Sequence, residues 1–191
     1  MSGSQSSVID PLKGLRAMAA GDRVGSSARQ QFCGEIDIRI GRDGTWFYHG
    51  SPIGRKPLVK LFASVLRREG DDYWLVTPVE RGRIKVDDVP FTAVEVNAAG
   101  TGPSQVLTFR TNLDDEVAAD AEHPIRVAYA TDSGEPHPYI LVRDRLEARI
   151  LRPVFYELVE LAQMHRIGDD EVYGVWSREQ FFPLGRCDPA A

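Results

Sequence analysis

The stretch Glu35-Ile36-Asp37-Ile38-Arg39-Ile40 alternates strictly between charged and apolar side chains. Successive side chains of a β-strand point to opposite faces, so the three isoleucines share one face and the three charges share the other. Gly41-Arg42-Asp43-Gly44 has the composition of a tight turn, and Trp46-Phe47-Tyr48-His49 then returns as a second strand. The pattern predicts a half-buried antiparallel hairpin in a sheet with one polar face.

Strand patterns dominate most of the chain beyond this hairpin. The acidic stretch 112–124 is predicted to be a surface loop. Two hairpins are predicted, one joining 91–96 to 106–111 and one joining 125–130 to 139–143. The other predicted strands cover residues 73–77, 81–86, 172–176 and 181–184.

Two amphipathic helices interrupt the strands. Pro57 suits the first turn of a helix, and Leu58, Leu61, Phe62 and Val65 form its apolar stripe. Gly70-Asp71-Asp72 is predicted to end this helix. A second helix is predicted from Pro153 to Gly168-Asp169-Asp170, with a broad apolar face formed by Val154, Phe155, Leu158, Val159, Leu161 and Ala162.

The order of these elements predicts an α+β fold of two similar strand-rich units, each with one main helix. Helices and strands do not alternate regularly enough for a doubly wound parallel sheet. The predicted organisation is an N-terminal tail, short helix and linker over 1–31, a first unit over 32–87, a second unit over 88–185 and a tail over 186–191.

Charge is unevenly distributed over the 191 residues. The net charge is −5, but residues 1–87 carry 14 basic and 10 acidic side chains, and residues 88–191 carry 9 basic and 18 acidic ones. An acidic chain without a recognisable motif argues against general nucleic-acid binding. The absence of a long apolar run predicts no membrane span, and two unpatterned cysteines, Cys33 and Cys187, fit a cytoplasmic protein.

The strongest local feature is Arg81-Gly82-Arg83-Ile84-Lys85-Val86. On a strand, Arg81, Arg83 and Lys85 line one face at intervals of about 7 Å. Aligned cations repel one another unless anions compensate them, so this face is a candidate site for a phosphate-bearing ligand. The alternatives are an exposed solvated face, or pairing with the acidic second half.

A second candidate cluster is Arg55 and Lys56, which directly precede the helix beginning at Pro57. The first N–H groups of a helix attract anions, although a solvated helix start is the more common arrangement. The spacing of Gly50 and Gly54 is not that of a P-loop. Arg39, on the polar face of the first strand, is a weaker candidate for the same ligand.

No catalytic motif is present, so an enzyme is the less favoured class. The nucleophile elbow of hydrolases is absent, and no residue pattern identifies a cofactor. The four histidines, His49, His123, His137 and His165, have no metal-ligand spacing.

Several strings resemble the bacterial family known as domain of unknown function 1285. They include Cys33 to Ile40, Asp43 to Tyr48, Gly50 to Leu61 and Trp74 to Glu80. The similarity continues through Val106 to Asn112, Arg152 to Leu158, Gly174 to Ser177 and Phe181 to Gly185. The resemblance implies a duplicated α+β core whose second half is similar to pleckstrin-homology folds. It also implies a nucleotide-like ligand between the halves, a role in bacterial signalling and no established enzymatic activity.

Two functional hypotheses follow. The first is a cytoplasmic protein that binds a phosphate-bearing or nucleotide-like ligand between its two halves through Arg81, Arg83 and Lys85, with Arg55, Lys56 and Arg39 as further candidates. The alternative is a protein–protein interaction module without a small-molecule ligand.

Overall fold

The computed structural model describes residues 31–186. The predicted short helix near the N-terminus and most of both predicted tails lie outside these residues. The described chain divides into two compact units: residues 31–41 with 45–87, and residues 42–44 with 88–186. Strands predominate in both units, and each unit holds one α-helix. The architecture is therefore an α+β arrangement in two units.

The first unit is a six-stranded sheet with one helix. Its strands follow the order β3-β2-β1-β6-β5-β4, and β1 and β6 are parallel neighbours at its centre. The helix α1, Lys56–Ser64, contributes Val59, Phe62 and Ala63 to the core. The strands are β1 Gln31–Ile40, β2 Trp46–Tyr48, β3 Ser51–Pro52, β4 Leu66–Glu69, β5 Asp72–Val76 and β6 Glu80–Val86.

The core of this unit lies on the face predicted from the alternating stretch. Ile38 and Ile40 are at most 1% exposed, whereas Asp37 and Arg39 are exposed. Trp46 is the register partner of Ile40, and its ring stacks on Phe62 of α1 at 6.1 Å. The helix thus covers the apolar face of the sheet and leaves the charged face open.

The second unit contains another six-stranded sheet and a separate three-stranded one. The larger sheet has the order β10-β11-β12-β7-β8-β9, and the smaller has the order β13-β14-β15. The helix α2, Arg152–Glu160, follows β12. The strands are β7 Phe91–Ala99, β8 Val106–Thr111, β9 Glu116–Ala118, β10 Ile125–Tyr129, β11 Pro136–Arg143, β12 Leu146–Ile150, β13 Gln163–Ile167, β14 Asp170–Ser177 and β15 Gln180–Arg186.

Both six-stranded sheets are built on one plan. Each consists of two three-stranded antiparallel meanders, and the first strand of one meander pairs in parallel with the last strand of the other. These central parallel pairs are β1 with β6 and β7 with β12. The two units differ in where the helix falls: α1 lies between the meanders of the first unit, whereas α2 follows the second meander of the other.

The lengths predicted for both helices are wrong. Each helix has nine residues, and a strand follows within three residues: β4 after α1 and β13 after α2. Gly70 and Gly168 adopt positive φ values of 62° and 63° in hairpin turns, not at helix ends. A glycine followed by two aspartates fits a turn as well as a helix end, because both require a left-handed residue.

The acidic stretch 112–124 also differs from its prediction as a loop. It contains the strand β9, which pairs with the end of β8 through Phe109 and Val117. Val117 is buried, and the charged residues around it are partly exposed. A three-residue strand is too short to show a clear alternation of apolar and polar side chains.

Candidate functional site

The cation stripe of the first unit lies on β6, and its side chains alternate as predicted. Gly82 and Ile84 are buried on the inner face. Arg81, Arg83 and Lys85 lie on the outer face, where Lys85 is the most exposed. Arg39 joins them from the neighbouring strand, because it is the register partner of Lys85. The structure therefore brings four of the six candidate cations together.

Acidic residues of the same unit pair with both arginines of β6. The Arg83 guanidinium donates to Glu35 and lies 3.5 Å from Asp72. The hydrogen bond and charge of Glu35 raise the pKa of Arg83 above its ordinary value. Arg81 donates to Glu69 over 2.8 Å. Both arginines therefore pair with acids of their own sheet, and not with the acidic second half that the sequence offered as one alternative.

Aromatic rings hold two of the guanidinium groups against the sheet. Arg81 lies over the ring of Trp74 at 4.2 Å, and Arg39 lies over Phe47 at 4.4 Å. Arg39 also donates to Asp87 over 2.5 Å. Of the four cations Arg39, Arg81, Arg83 and Lys85, only Lys85 has no ion pair within residues 31–186.

Arg55 and Lys56 do not join the stripe. They stand at the start of α1, which covers the opposite, apolar face of the sheet. Both side chains are exposed. The second candidate cluster is therefore a separate surface of the same unit.

The second unit contains a basic cavity that the sequence did not indicate. It has a volume of about 200 Å³, and it opens beside the start of α2. Arg149 of β12 and Arg152, the first residue of α2, both line it. The other lining residues are Glu135, Pro136, Pro138, Ile150, Phe155 and Tyr156.

A polar network holds Arg149 in place. Asp88 accepts hydrogen bonds from the Arg149 guanidinium at 3.1 Å and from the Tyr139 hydroxyl at 3.0 Å. Burial raises the pKa of Tyr139, and the nearby charge of Asp88 raises it further. The phenol therefore stays protonated and remains a donor to Asp88. With one N–H directed to Asp88, the planar guanidinium keeps further donors for a ligand.

The second arginine of the cavity, Arg152, is more exposed than Arg149. Arg152 forms an ion pair with Glu135, and the two side chains are 67% and 45% exposed. Leu151, which precedes the helix, has no polar side chain to cap the first turn, and residues 152–155 include no acid. The mouth of the cavity thus combines an exposed cation with the positive end of a helix dipole.

Sequence reasoning missed this cavity because its residues are scattered in the chain. Pro136 and Pro138 belong to β11, Arg149 to β12 and Tyr156 to α2. The available signal was Arg152-Pro153 at a helix start, which parallels Lys56-Pro57 in the first unit. Nothing in the sequence showed that a second arginine would lie beside it.

Comparison with known families identifies the chain. The N-terminal domain model of domain of unknown function 1285 (DUF1285) matches residues 28–89. The C-terminal domain model of the protein of unknown function DUF1285 matches residues 90–184. The chain belongs to the DUF1285 family. Among the described residues of this DUF1285 protein, no helix is long and apolar enough to cross a bilayer, and no group of three metal-ligating side chains occurs.

Two solved structures resemble this DUF1285 protein. A DUF1285 family protein from Silicibacter pomeroyi DSS-3 is 47% identical, with a TM-score of 0.79 over 91% of this chain and 96% of that one. A DUF1285 family protein from Shewanella baltica OS155 is 26% identical, with a TM-score of 0.52 over 65% of this chain and 91% of that one. No curated protein matches the sequence.

Proposed function

We propose that this DUF1285 protein binds a phosphate-bearing ligand, and that the cavity of the second unit takes its anionic end. The observation that supports this proposal is the convergence of Arg149 and Arg152 on one concave site. Arginine is suited to phosphate because its planar fork donates to two oxygens at once.

The existing ion pairs do not exclude a ligand. Exposed pairs such as Arg152 with Glu135 contribute about 0–1 kcal/mol, so exchanging the carboxylate for another anion costs little. A phosphate monoester offers three acceptor oxygens and a charge of about −1.5 to −2 near neutral pH. It can therefore engage Arg149 and Arg152 together, which Glu135 alone does not do.

The size of the cavity limits what it encloses. Ligand pockets usually have volumes of about 300–1,000 Å³, and this one has about 200 Å³. A phosphate group fits, and the organic part of a nucleotide would extend past the mouth. Tyr156, which is 58% exposed, and Phe155 provide apolar surface there.

The first unit provides the other surface for the same ligand class. Arg39, Arg81, Arg83 and Lys85 share one face, but three of them are engaged by acids of their own unit. An anion on this face would have to displace several partners. We therefore place the ligand in the cavity and retain the stripe as the second location.

Calorimetry with three compounds tests the proposal. Inorganic phosphate and a nucleoside monophosphate are expected to bind, and the matching nucleoside is not. Arg152→Gln should weaken phosphate binding by about tenfold, which is 1.4 kcal/mol. The matched control is Arg110→Gln, an exposed arginine of the second unit that pairs with Glu95 outside the cavity.

The variants also locate the ligand. If Arg83→Gln weakens binding and Arg152→Gln does not, the ligand lies on the stripe of the first unit. Equal losses for Arg152→Gln and Arg110→Gln would mean that only overall charge matters. Absence of heat from both phosphate compounds would overturn the proposal.

The finer expectations from the family resemblance stay predictions. These are a nucleotide-like ligand between the two units, a role in signalling, a cytoplasmic location and a pleckstrin-homology-like second unit. The alternative, a protein–protein interaction module without a small-molecule ligand, also stays a prediction.

A further inference from the structure

One carboxylate lies among the arginines of the cavity in the second unit. The guanidinium groups of Arg149 and Arg152 only donate hydrogen bonds, and Glu135 lines the same cavity. The other lining side chains are apolar except for Tyr156, whose hydroxyl both donates and accepts. When it is ionised, Glu135 is therefore the one lining side chain that can only accept.

The backbone of Glu135 is fixed just before β11 begins. Its carbonyl oxygen accepts a hydrogen bond of 2.9 Å from the amide of Ala130, and its amide donates to the Ser133 hydroxyl at 3.3 Å. The Glu135 side chain pairs with Arg152 and is 45% exposed. Exposed side chains change rotamer within nanoseconds, so this carboxylate can turn toward an anion in the cavity while its backbone stays in place.

A tetrahedral anion in the cavity would meet both kinds of group. Arg149 of β12 is held by Asp88 at 3.1 Å, and Arg152 begins α2, so the two cations reach the cavity from different elements. Their N–H groups suit the negative oxygens of the anion. An oxygen that faces Glu135 meets a negative charge instead. That contact is repulsive for a bare oxygen, and it becomes a charge-assisted hydrogen bond when the oxygen carries a hydrogen.

Phosphate and sulfate differ in this one respect. Both ions are tetrahedral, and at about pH 8 both carry a charge of about −2. Inorganic phosphate keeps one hydrogen under these conditions, whereas sulfate has none. We propose that Glu135 accepts the hydrogen of a phosphate P–OH group in the cavity, so that the site binds protonated phosphate in preference to sulfate. This inference rests on the proposed function, because it adds a contact to the same ligand.

The same contact ranks phosphate compounds by their protonation. The second pKa of a phosphate monoester is about 6, so an ester has lost nearly all of its P–OH hydrogen at about pH 8. Inorganic phosphate and a monoester thus share the group that Glu135 recognises only under more acidic conditions. At about pH 8, free phosphate should bind more tightly than a small ester such as methyl phosphate.

Calorimetry on the full chain at about pH 8 and matched ionic strength tests the inference. The parent is expected to bind inorganic phosphate at least about tenfold more tightly than sulfate or methyl phosphate. Glu135→Gln keeps the shape of the side chain, removes its charge and supplies an NH₂ group that can donate to a bare oxygen. In this variant the affinities for the three anions should lie within about threefold of one another.

Glu95→Gln is the matched control. Glu95 is a glutamate of the second unit that pairs with Arg110 and does not line the cavity. Its replacement removes the same charge and should leave the preference for inorganic phosphate intact. If Glu95→Gln and Glu135→Gln lose that preference equally, only overall charge matters and Glu135 has no role in selection.

The outcomes separate this inference from the proposed function. A parent that binds sulfate or methyl phosphate as tightly as inorganic phosphate would overturn the role of Glu135 and leave the phosphate site standing. An unchanged preference in Glu135→Gln would do the same. Heat from none of the three anions would overturn both the inference and the proposed function.

Discussion

The hydroxyl of Ser177 donates a hydrogen bond of 2.7 Å to the carbonyl oxygen of Ala119. The hydroxyl oxygen of Ser177 accepts a hydrogen bond of 3.0 Å from the amide of Leu107. Ser177 is fully buried, so one side chain of β14 satisfies two backbone groups of the larger sheet. This contact fastens the three-stranded sheet to its neighbour inside the second unit.

Ser177→Ala is expected to lower the free energy of unfolding by about 1–3 kcal/mol. The substitution leaves the amide of Leu107 and the carbonyl of Ala119 buried without this partner. Urea denaturation followed by circular dichroism measures the change. Ser64→Ala is the matched control, because the Ser64 hydroxyl donates to a carbonyl of its own helix at an exposed position. A loss no larger than that of the control would contradict the role given to Ser177.

Gly174→Ala is expected to destabilise the three-stranded sheet by about 1–3 kcal/mol. A Cβ at Gly174 would lie 2.4 Å from the carbonyl oxygen of Phe182 and 2.5 Å from the Phe181 ring. The ring could turn aside, but the backbone oxygen is fixed by the ladder. Thermal unfolding compares this variant with Gly54→Ala, where a Cβ meets nothing within 4 Å. Similar melting temperatures for the two variants would refute the steric explanation.

Asp120 is expected to make the stability of the protein depend on pH in the acidic range. Burial raises the pKa of Asp120, but hydrogen bonds from His123, Glu122 and Arg178 outweigh burial and lower the pKa below its ordinary value. A lowered folded-state pKa gives stability that is fully present above the unfolded value of about 3.9 and is lost as the pH falls through the folded value.

Asp120→Asn isolates this effect. Asparagine keeps an acceptor oxygen for the amides of Glu122 and His123 but has no charge to titrate. Urea unfolding at a series of pH values should show a shallower loss of stability on acidification than in the parent. Asp71→Asn, at a fully exposed position, should leave the profile of the parent unchanged. If the stability of Asp120→Asn falls with pH as steeply as that of the parent, Asp120 does not cause the pH dependence.

Arg145→Gly is expected to raise the free energy of unfolding by up to about 1 kcal/mol. Asp144 and Arg145 form the two-residue turn between β11 and β12, and both have positive φ, 44° and 64°. Such turns favour asparagine followed by glycine, because a Cβ is strained in the left-handed region. Arg145→Ala removes the same side chain but keeps the Cβ, so it should give no stabilisation. Chemical denaturation of both variants distinguishes release of strain from loss of charge.

Much of the sheet structure was predictable because long strands alternate cleanly. The alternating stretch in β1, the hairpin of β7 with β8 and the hairpin of β10 with β11 are confirmed. Each contains at least five residues and ends at glycine, proline or a short polar turn. Such segments bury one face, and that burial fixes both their period and their register.

The wrong lengths predicted for the two helices share a physical cause. The strands β4 and β13 follow helices almost directly, and their apolar residues, Leu66 and Ile167, continue the helical pattern by chance. Propensity alone does not separate a third helical turn from a short strand. These residues form strands because they pair with β5 and β14. The local sequence does not reveal those pairings.

The sequence predicted which face of β6 carries the cations, but it did not predict which acidic residues pair with them. Strand alternation placed Arg81, Arg83 and Lys85 on one face. The acidic partners of Arg81 and Arg83 come from other strands, and Glu35 is 48 residues away from Arg83. Long-range pairing of this kind needs the sheet order, which a single sequence does not reveal.

The central parallel pairs have a consequence for the order of folding. β1 can pair with β6 only after residues 80–86 have been synthesised. In the same way, β7 can pair with β12 only after residues 146–150 have been synthesised. Each sheet is therefore closed at its middle by its last strand, and until then its two meanders remain separate pieces with exposed edges. Closing a loop of about 50 residues is slow compared with forming a hairpin. Nearly all of each sheet therefore has to be synthesised before that sheet can fold stably.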